Sequence, residues 1–294
     1  IYPLRRDHHS VVPIRTRWIG GNLGSIHGLD GPEREGRVSS TTLLKAQKVS
    51  KAFQGFWAVM GADFELSPGE IVGIIGPNGA GKSTFFNCLS GEMVPTSGSV
   101  IFRDTNVTRA TPEQHARLGI GRTYQVPATF EDMTILDNVM VGAFLRRAHQ
   151  ADARKEAMQV LDFTGLGAQA DHRAKSLGTP GRKRLEIARA LATKPRLLLL
   201  DEALSGLTPL EIQQAIGLVR QIHQTGVTLV IVEHIMEVVL TLAQRVIVFN
   251  HGQIIATGRP EEIVNDPKVV DAYLGAGRKS RRFSARSGPN GRGA

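Results

Sequence analysis

Nine consecutive residues, Gly76-Pro77-Asn78-Gly79-Ala80-Gly81-Lys82-Ser83-Thr84, have the types and spacing to hold a phosphate chain. Glycines let a backbone wrap phosphate oxygens with its N–H groups turned inward. A helix starting at the end of such a loop adds partial positive charge. Lys82 supplies a full charge for the terminal phosphates, and the Ser83 hydroxyl is placed to ligate Mg²⁺. Downstream, Asp201-Glu202 closes an apolar run, where an acid at a strand tip can hold the same ion. Asp201 is the candidate metal ligand. Glu202 is the candidate base that polarises a water attacking the γ-phosphate; the plainer reading is an acid at the start of a helix. His234 follows the next apolar run and is a candidate γ-phosphate contact, although a lone histidine is more often structural. Gln125 carries an amide that can reach Mg²⁺ or the attacking water. Phe53, before a glycine turn, is a candidate for stacking on a purine rather than for the core.

These residues need a frame. Ile71-Val72-Gly73-Ile74-Ile75, bounded by Pro68-Gly69, reads as a strand into the loop, and Phe85 to Leu89 as the first turns of a helix after it. Leu197-Leu198-Leu199-Leu200 and Val227 to Val232 read as strands buried on both faces. Leu43 to Val49 and Ala62 to Leu66 alternate like half-buried strands, with Lys51 to Gly55 between them, and Ser99 to Phe102 adds another. Thr111-Pro112-Glu113-Gln114 and Thr208-Pro209-Leu210-Glu211 are capping boxes with proline at the first helical position. From about 128 to 176 the pattern turns helical without an intervening strand, including Ile135 to Phe144 and Ala153 to Phe163. That block reads as a helical insertion in an α/β chain. Arg182 to Ala192 is a further helix, and Arg245 to Phe249 with Gln253 to Ala256 form a hairpin through Asn250-His251-Gly252. Arg259 to Leu274 ends the body in a short helical region.

The 294 residues carry a net charge of +9, but the excess is confined to the ends. Residues 46–274 hold 23 basic and 23 acidic side chains. A neutral body argues against a nucleic-acid partner, which wants a basic face on the fold. No apolar run approaches the roughly eighteen residues of a membrane span. The single cysteine, Cys88, fits a packed position in a reducing compartment. Residues 1–42 read as a poorly ordered leader, with a short strand expected over 12–19. Residues 275–294 read as a disordered basic tail, either solubilising or in contact with an anionic lipid surface.

In this order, the motifs of residues 43–274 resemble the ATP-binding subunits of ABC transporters. Gly76 to Thr84 matches Walker A, Leu197 to Glu202 the Walker B strand with its glutamate, and Gln125 the Q-loop. Ser205-Gly206-Leu207-Thr208 matches the D-loop, His234 the switch histidine, and Phe53 the adenine-stacking aromatic. The resemblance implies an α/β P-loop NTPase. Its parts would be a RecA-like parallel-sheet core, an antiparallel β part and a helical subdomain that docks on membrane permeases. It also implies ATP with Mg²⁺, hydrolysed between this chain and a second ABC ATPase subunit at the cytoplasmic face of the membrane.

Several stretches are similar to the ATPases of branched-chain amino acid and related amide importers: Gly119 to Gln125, Arg184 to Arg189, and Gly258 to Ile263 through Ala272 to Gly275. Such an importer works with a periplasmic or extracellular solute-binding protein. Lipopolysaccharide or lipid export ATPases share much of this pattern. Soluble ABC ATPases acting on ribosomes or DNA usually carry two such domains or a long coiled-coil insertion, and neither is present here. A GTPase would want Asn-Lys-x-Asp, which is absent.

One motif departs. The family signature, Leu-Ser-Gly-Gly-Gln, falls on Leu177-Gly178-Thr179-Pro180-Gly181. Gly178 replaces the serine whose hydroxyl would reach the partner's nucleotide, Thr179 is its nearest substitute, and Pro180 has no N–H to offer an anion. In an asymmetric pair, the expectation is that the site built on this chain's own Walker A hydrolyses ATP and the opposite site is weak.

Overall fold

The structure is a computed structural model and describes residues 42–273. The expected leader (all but its last residue), its strand over 12–19 and the basic tail lie outside the described residues.

Two sheets grip one helix. The strands β3 (Ile71–Ile75), β7 (Leu197–Asp201) and β8 (Thr228–Val232) are buried along their whole length. That fits parallel strands covered on both faces. They form a six-stranded sheet with β6 (Ile120–Arg122), β9 (Arg245–Asn250) and β10 (Gln253–Gly258), in the order β10-β9-β3-β8-β7-β6. Only the β9–β10 hairpin is antiparallel. A second, antiparallel sheet runs β2-β1-β4-β5, with β1 (Leu44–Phe53), β2 (Phe56–Leu66), β4 (Ser97–Phe102) and β5 (Thr105–Asn106). The expected gap over Lys51 to Gly55 is mostly strand: β1 runs on through Phe53, and only Gln54-Gly55 turns. Cross-strand pairing of Phe53 with Phe56 overrides the weak local alternation there.

Between the sheets lies α1 (Lys82–Leu89). Phe85 is fully buried, edge-on to Phe64 of β2 at 6.0 Å and tilted against Phe249 of β9 at 5.1 Å. Cys88 is buried on the same helix. Each such aromatic contributes about 1.5–3 kcal/mol on burial, so the helix that begins at the glycine loop is anchored in the main core.

The remaining helices are α2 (Pro112–Leu118), α3 (Ile135–Ala143), α4 (Gln150–Thr164), α5 (Thr179–Ala192), α6 (Pro209–Gln224), α7 (Met236–Leu242) and α8 (Pro260–Val264). Both expected capping boxes form, at the starts of α2 and α6. A helical turn over 267–273 follows α8. α3 and α4 pack on each other and on α5. Gly142 of α3 lies so close to α5 that a Cβ there would stand 2.3 Å from the Arg189 carbonyl oxygen. α5 begins at Thr179, three residues earlier than Arg182. Its N-cap is Gly178 and its second helical position is Pro180, so Thr179 to Gly181 form the helix's first turn.

Candidate functional site

The loop between β3 and α1 is shaped by backbone contacts. Gly76 has φ +146°, and a Cβ there would stand 2.2 Å from the Phe249 carbonyl oxygen. Gly81, the N-cap of α1, has φ +102° and faces the Ala58 carbonyl oxygen, 2.3 Å from where a Cβ would sit. The tip of the β9–β10 hairpin ties the loop to β2. The Gly252 N–H donates to the Ala80 carbonyl at 2.9 Å, and the Met60 N–H donates to the Gly252 carbonyl at 2.8 Å.

Gly81→Ala is therefore expected to cost about 2–4 kcal/mol, from left-handed backbone strain plus overlap with a carbonyl. Gly217→Ala, in the open interior of α6 with nothing within 4 Å of a new Cβ, should stabilise by about 0.5–1 kcal/mol. Denaturant unfolding of the two variants checks both signs.

No side chain caps the N-terminus of α1, so its first-turn amides are left for water or a ligand. Lys82 is buried and folds over the loop, donating from Nζ to the carbonyls of Gly76 at 2.7 Å and Pro77 at 3.1 Å. Burial pushes its ammonium below the ordinary lysine value, while Glu202 and Asp201 pull it back up. Pro77 is half-buried, Asn78, Gly79 and Ser83 are exposed, and Thr84 is half-buried.

The two acids stand together at the tip of β7. Asp201 ends β7 opposite Val232 of β8, and the Glu202 N–H continues that pairing to the Val232 carbonyl at 2.9 Å. Asp201 is buried. Its Oδ2 accepts from Arg122 Nη2 at 3.1 Å, and its backbone N–H donates to Thr123 Oγ1 at 3.2 Å. Burial raises its carboxyl above the ordinary aspartate value, and Arg122 opposes that rise. Glu202 has φ +44°, a left-handed conformation costly for a residue with a side chain. Its Oε2 accepts from Gln125 Nε2 at 2.7 Å and lies 3.8 Å from His234 Nδ1. Three residues far apart in sequence thus meet at one carboxylate. β6 ends at Arg122, so Gln125 lies in the loop three residues past the strand rather than at its end.

Phe53 ends β1, 43% exposed, with Lys51 Nζ 5.4 Å from its ring centroid. Its exposed face leaves room for a stacked ring. Leu177, Gly178, Thr179 and Gly181 are not brought to this chain's own loop by any hydrogen bond among the described residues. Their bonds are local: Arg182 donates to the Leu177 carbonyl from Nε at 3.0 Å and to the Gly178 carbonyl from its backbone N–H at 3.0 Å. A Cβ on Gly181 would meet the Leu177 side chain at 2.9 Å.

Four supporting side chains escaped the motif reading: Arg122, Lys183, Glu186 and Glu233. Arg122 is the partner of Asp201, and only the β6–β7 pairing reveals it. Lys183 Nζ donates to the Glu202 carbonyl at 2.9 Å and to Ser205 Oγ at 3.2 Å. Glu233 is buried and accepts from the Leu204 N–H at 2.9 Å. Only Glu233, a charge straight after the apolar run Val227 to Val232, carried a signal in the sequence.

A glycine loop at a helix start, beside two acids at the tip of a parallel strand, defines an α/β P-loop nucleotide hydrolase. Residues 59–205 match the family model described as "ABC transporter". The chain belongs to that family and is an ABC ATPase. Residues 253–279 also match the model described as "Branched-chain amino acid ATP-binding cassette transporter". The high-affinity branched-chain amino acid transport ATP-binding protein LivG of Escherichia coli K12 is 39% identical over 255 residues, 80% of this chain and 99% of that protein. The lipopolysaccharide export system ATP-binding protein LptB of Acidithiobacillus ferridurans is 33% identical over 79% of this chain and 97% of its own. Among solved structures, the ADP conformation of MJ1267, an ATP-binding cassette of an ABC transporter, superposes with a TM-score of 0.73 at 30% identity, covering 80% of this chain and all of that one.

Proposed function

We propose that this chain is the ATP-hydrolysing subunit of an importer for branched-chain amino acids or related amides. The observation that carries this reading is the 39% identity to LivG across nearly the whole of that protein. The match of the C-terminal stretch 253–279 supports it independently of the nucleotide motifs. The lower identity to LptB makes lipid export the second reading.

In this reading ATP sits on Gly76 to Thr84, with Phe53 stacked on the base and Lys82 turned from the loop carbonyls to the phosphates. Ser83, Asp201 and Gln125 hold Mg²⁺, which supplies charge neutralisation at the phosphates. Their oxygens suit a hard cation. Gln125 bonds Glu202 through its amide nitrogen, so its oxygen is the atom left to offer. Among the described residues no cluster of three or more His, Cys, Asp or Glu could hold a metal ion. Glu202 takes the proton of the attacking water, and Gln125 and His234 orient its carboxylate.

A second ABC ATPase subunit covers the nucleotide with its signature segment, as Leu177, Gly178, Thr179 and Gly181 of this chain cover the partner's. No helix among the described residues is long and apolar enough to cross a membrane, so permease subunits supply the path, with this chain at the cytoplasmic face. A cleft of about 330 Å³ between α2, β6, α3 and α5, lined in part by Tyr124, Val141 and Leu145, is the docking surface this reading assigns to them. Val126, Phe130 and Phe144 add exposed apolar side chains on the same loop and helix. A solute-binding protein delivers the solute from the far side.

The test is co-expression with permease subunits of a branched-chain amino acid importer and reconstitution in vesicles. ATP-dependent uptake of radiolabelled leucine supports the reading. Co-purification with lipid-export permeases and no amino acid uptake overturns it.

A further inference from the structure

α5 carries two side chains one turn apart, Glu186 and Arg189, that both reach the loop between β6 and α3. Glu186 is 5% exposed. Its Oε1 accepts the Tyr124 N–H at 2.8 Å. That amide belongs to the residue just before Gln125. Arg189 donates to the Ala128 carbonyl, and its guanidinium lies 4.7 Å from the Phe130 ring centroid. One turn earlier on the same helix, Lys183 holds the Glu202 carbonyl. A single helix therefore grips both sides of the 2.7 Å contact between Gln125 and Glu202.

We propose that Glu186 is a positioning residue for hydrolysis: by holding the amide of Tyr124, its carboxylate fixes the loop that keeps Gln125 on Glu202. This rests on the roles proposed above for Gln125 and Glu202. The loop between Thr123 and Ala128 has no strand partner, so its placement depends on side chains that cap its amides. A carboxylate is suited to this because both its oxygens accept and neither donates.

A purely structural cap would not need the charge. Burial pushes the Glu186 carboxyl up to about 7; the Tyr124 and Ala128 amides, Arg189 and Lys183 pull against that rise. The groups around it are Lys183 and Arg189 on its own helix and Tyr124 on the loop. The Tyr124 ring lies under Arg122, and its hydroxyl donates to Glu92 at 2.5 Å. Tyr124 is itself pushed up to about 12, so Glu186 is the member of this group that changes charge near neutrality. Protonation removes the charge and turns one acceptor into a donor, which weakens the hold on the Tyr124 N–H. The clasp therefore holds above about pH 7 and loosens below it. Fold stability runs the other way. A folded value above the unfolded one gives a contribution that is present at low pH and lost as pH rises through about 7. At pH 8 the ionised carboxylate thus costs stability, and a neutral isostere would relieve that cost.

The experiment uses the full chain assembled with its partner subunits, as wild type, Glu186→Gln and Glu186→Ala, with Glu202→Gln as the control. At pH 8 Glu186→Gln is expected to melt no lower than wild type and to bind a fluorescent ATP analogue within about twofold. Its kcat should fall about tenfold, the equivalent of one lost hydrogen bond. Wild-type turnover should decline as pH drops below 7, while the Gln variant shows no such step between pH 6 and 8. Hydrogen exchange should be at least tenfold faster at the amide of residue 124 in both variants. Wild-type turnover with an unchanged pH profile in Glu186→Gln, or wild-type protection of that amide, overturns the proposal. If Glu202→Gln also leaves turnover intact, the roles given to Gln125 and Glu202 have failed, and the exchange data still decide whether the clasp exists.

Discussion

Replacing Glu202 by Gln is expected to lower ATP turnover by about 10²–10⁴-fold, the range a positioned general base contributes, while nucleotide affinity stays within about twofold. The side chain sits on a residue at φ +44°, held there because its N–H completes the β7–β8 pairing and its carbonyl accepts from Lys183. Backbone strain of about 1–3 kcal/mol persists only where the surroundings enforce it. Here it turns the carboxylate out of the buried strand to where Gln125 and His234 meet it. Gln keeps the shape and one acceptor oxygen but has no basic oxygen to take a proton from water. Single-turnover hydrolysis and equilibrium binding of a fluorescent ATP analogue separate the two effects. Turnover within threefold of wild type would remove Glu202 from the role of base and leave it as a helix-start acid. Loss of binding with turnover would mean that the substitution collapsed the loop instead.

The glycine loop, the acid pair and the strands under them were legible because each is written in adjacent residues. Leu197 to Leu200 can only be a strand covered on both faces, and both proline-started capping boxes form as their spacing requires. Contacts across strands were not legible. Arg122 reaches Asp201 because β6 lies beside β7, and no local pattern reveals that neighbour. The extension of β1 through Phe53 was missed for the same reason: its register is set by β2. α5 starts at Thr179 rather than Arg182 because Pro180 at the second helical position favours the helix, whereas Gly178-Thr179-Pro180-Gly181 read alone is a turn. Lys183 and Glu186 were hidden inside an Arg-rich helix that looked solvated, yet they are buried.

The start of α5 carries the second large prediction. In a mixed pair with an ATPase subunit whose signature is intact, Glu202→Gln in this chain should abolish most turnover. The matching substitution in the partner should spare most of it, a difference of at least about tenfold. The argument rests on what the first turn of α5 can offer a phosphate. Gly178 at the N-cap has no hydroxyl, and Pro180 at the second position has no N–H. Two donors to a charged group are missing, at about 1.5–3 kcal/mol each. Their sum corresponds to a hundredfold or more in occupancy or rate. Thr179, exposed at the first helical position, is the nearest hydroxyl that could compensate. The site on this chain's own loop is unaffected, because its covering segment comes from the partner. Purified mixed pairs, with each glutamate mutated in turn, give the comparison directly. Equal losses from the two substitutions would end the case for asymmetry. Where the losses are unequal, Gly178→Ser combined with Pro180→Gly should restore turnover at the weak site, since it returns the hydroxyl and the amide together. If that double variant leaves the partner-side rate unchanged, the weakness lies elsewhere than in the first turn of α5.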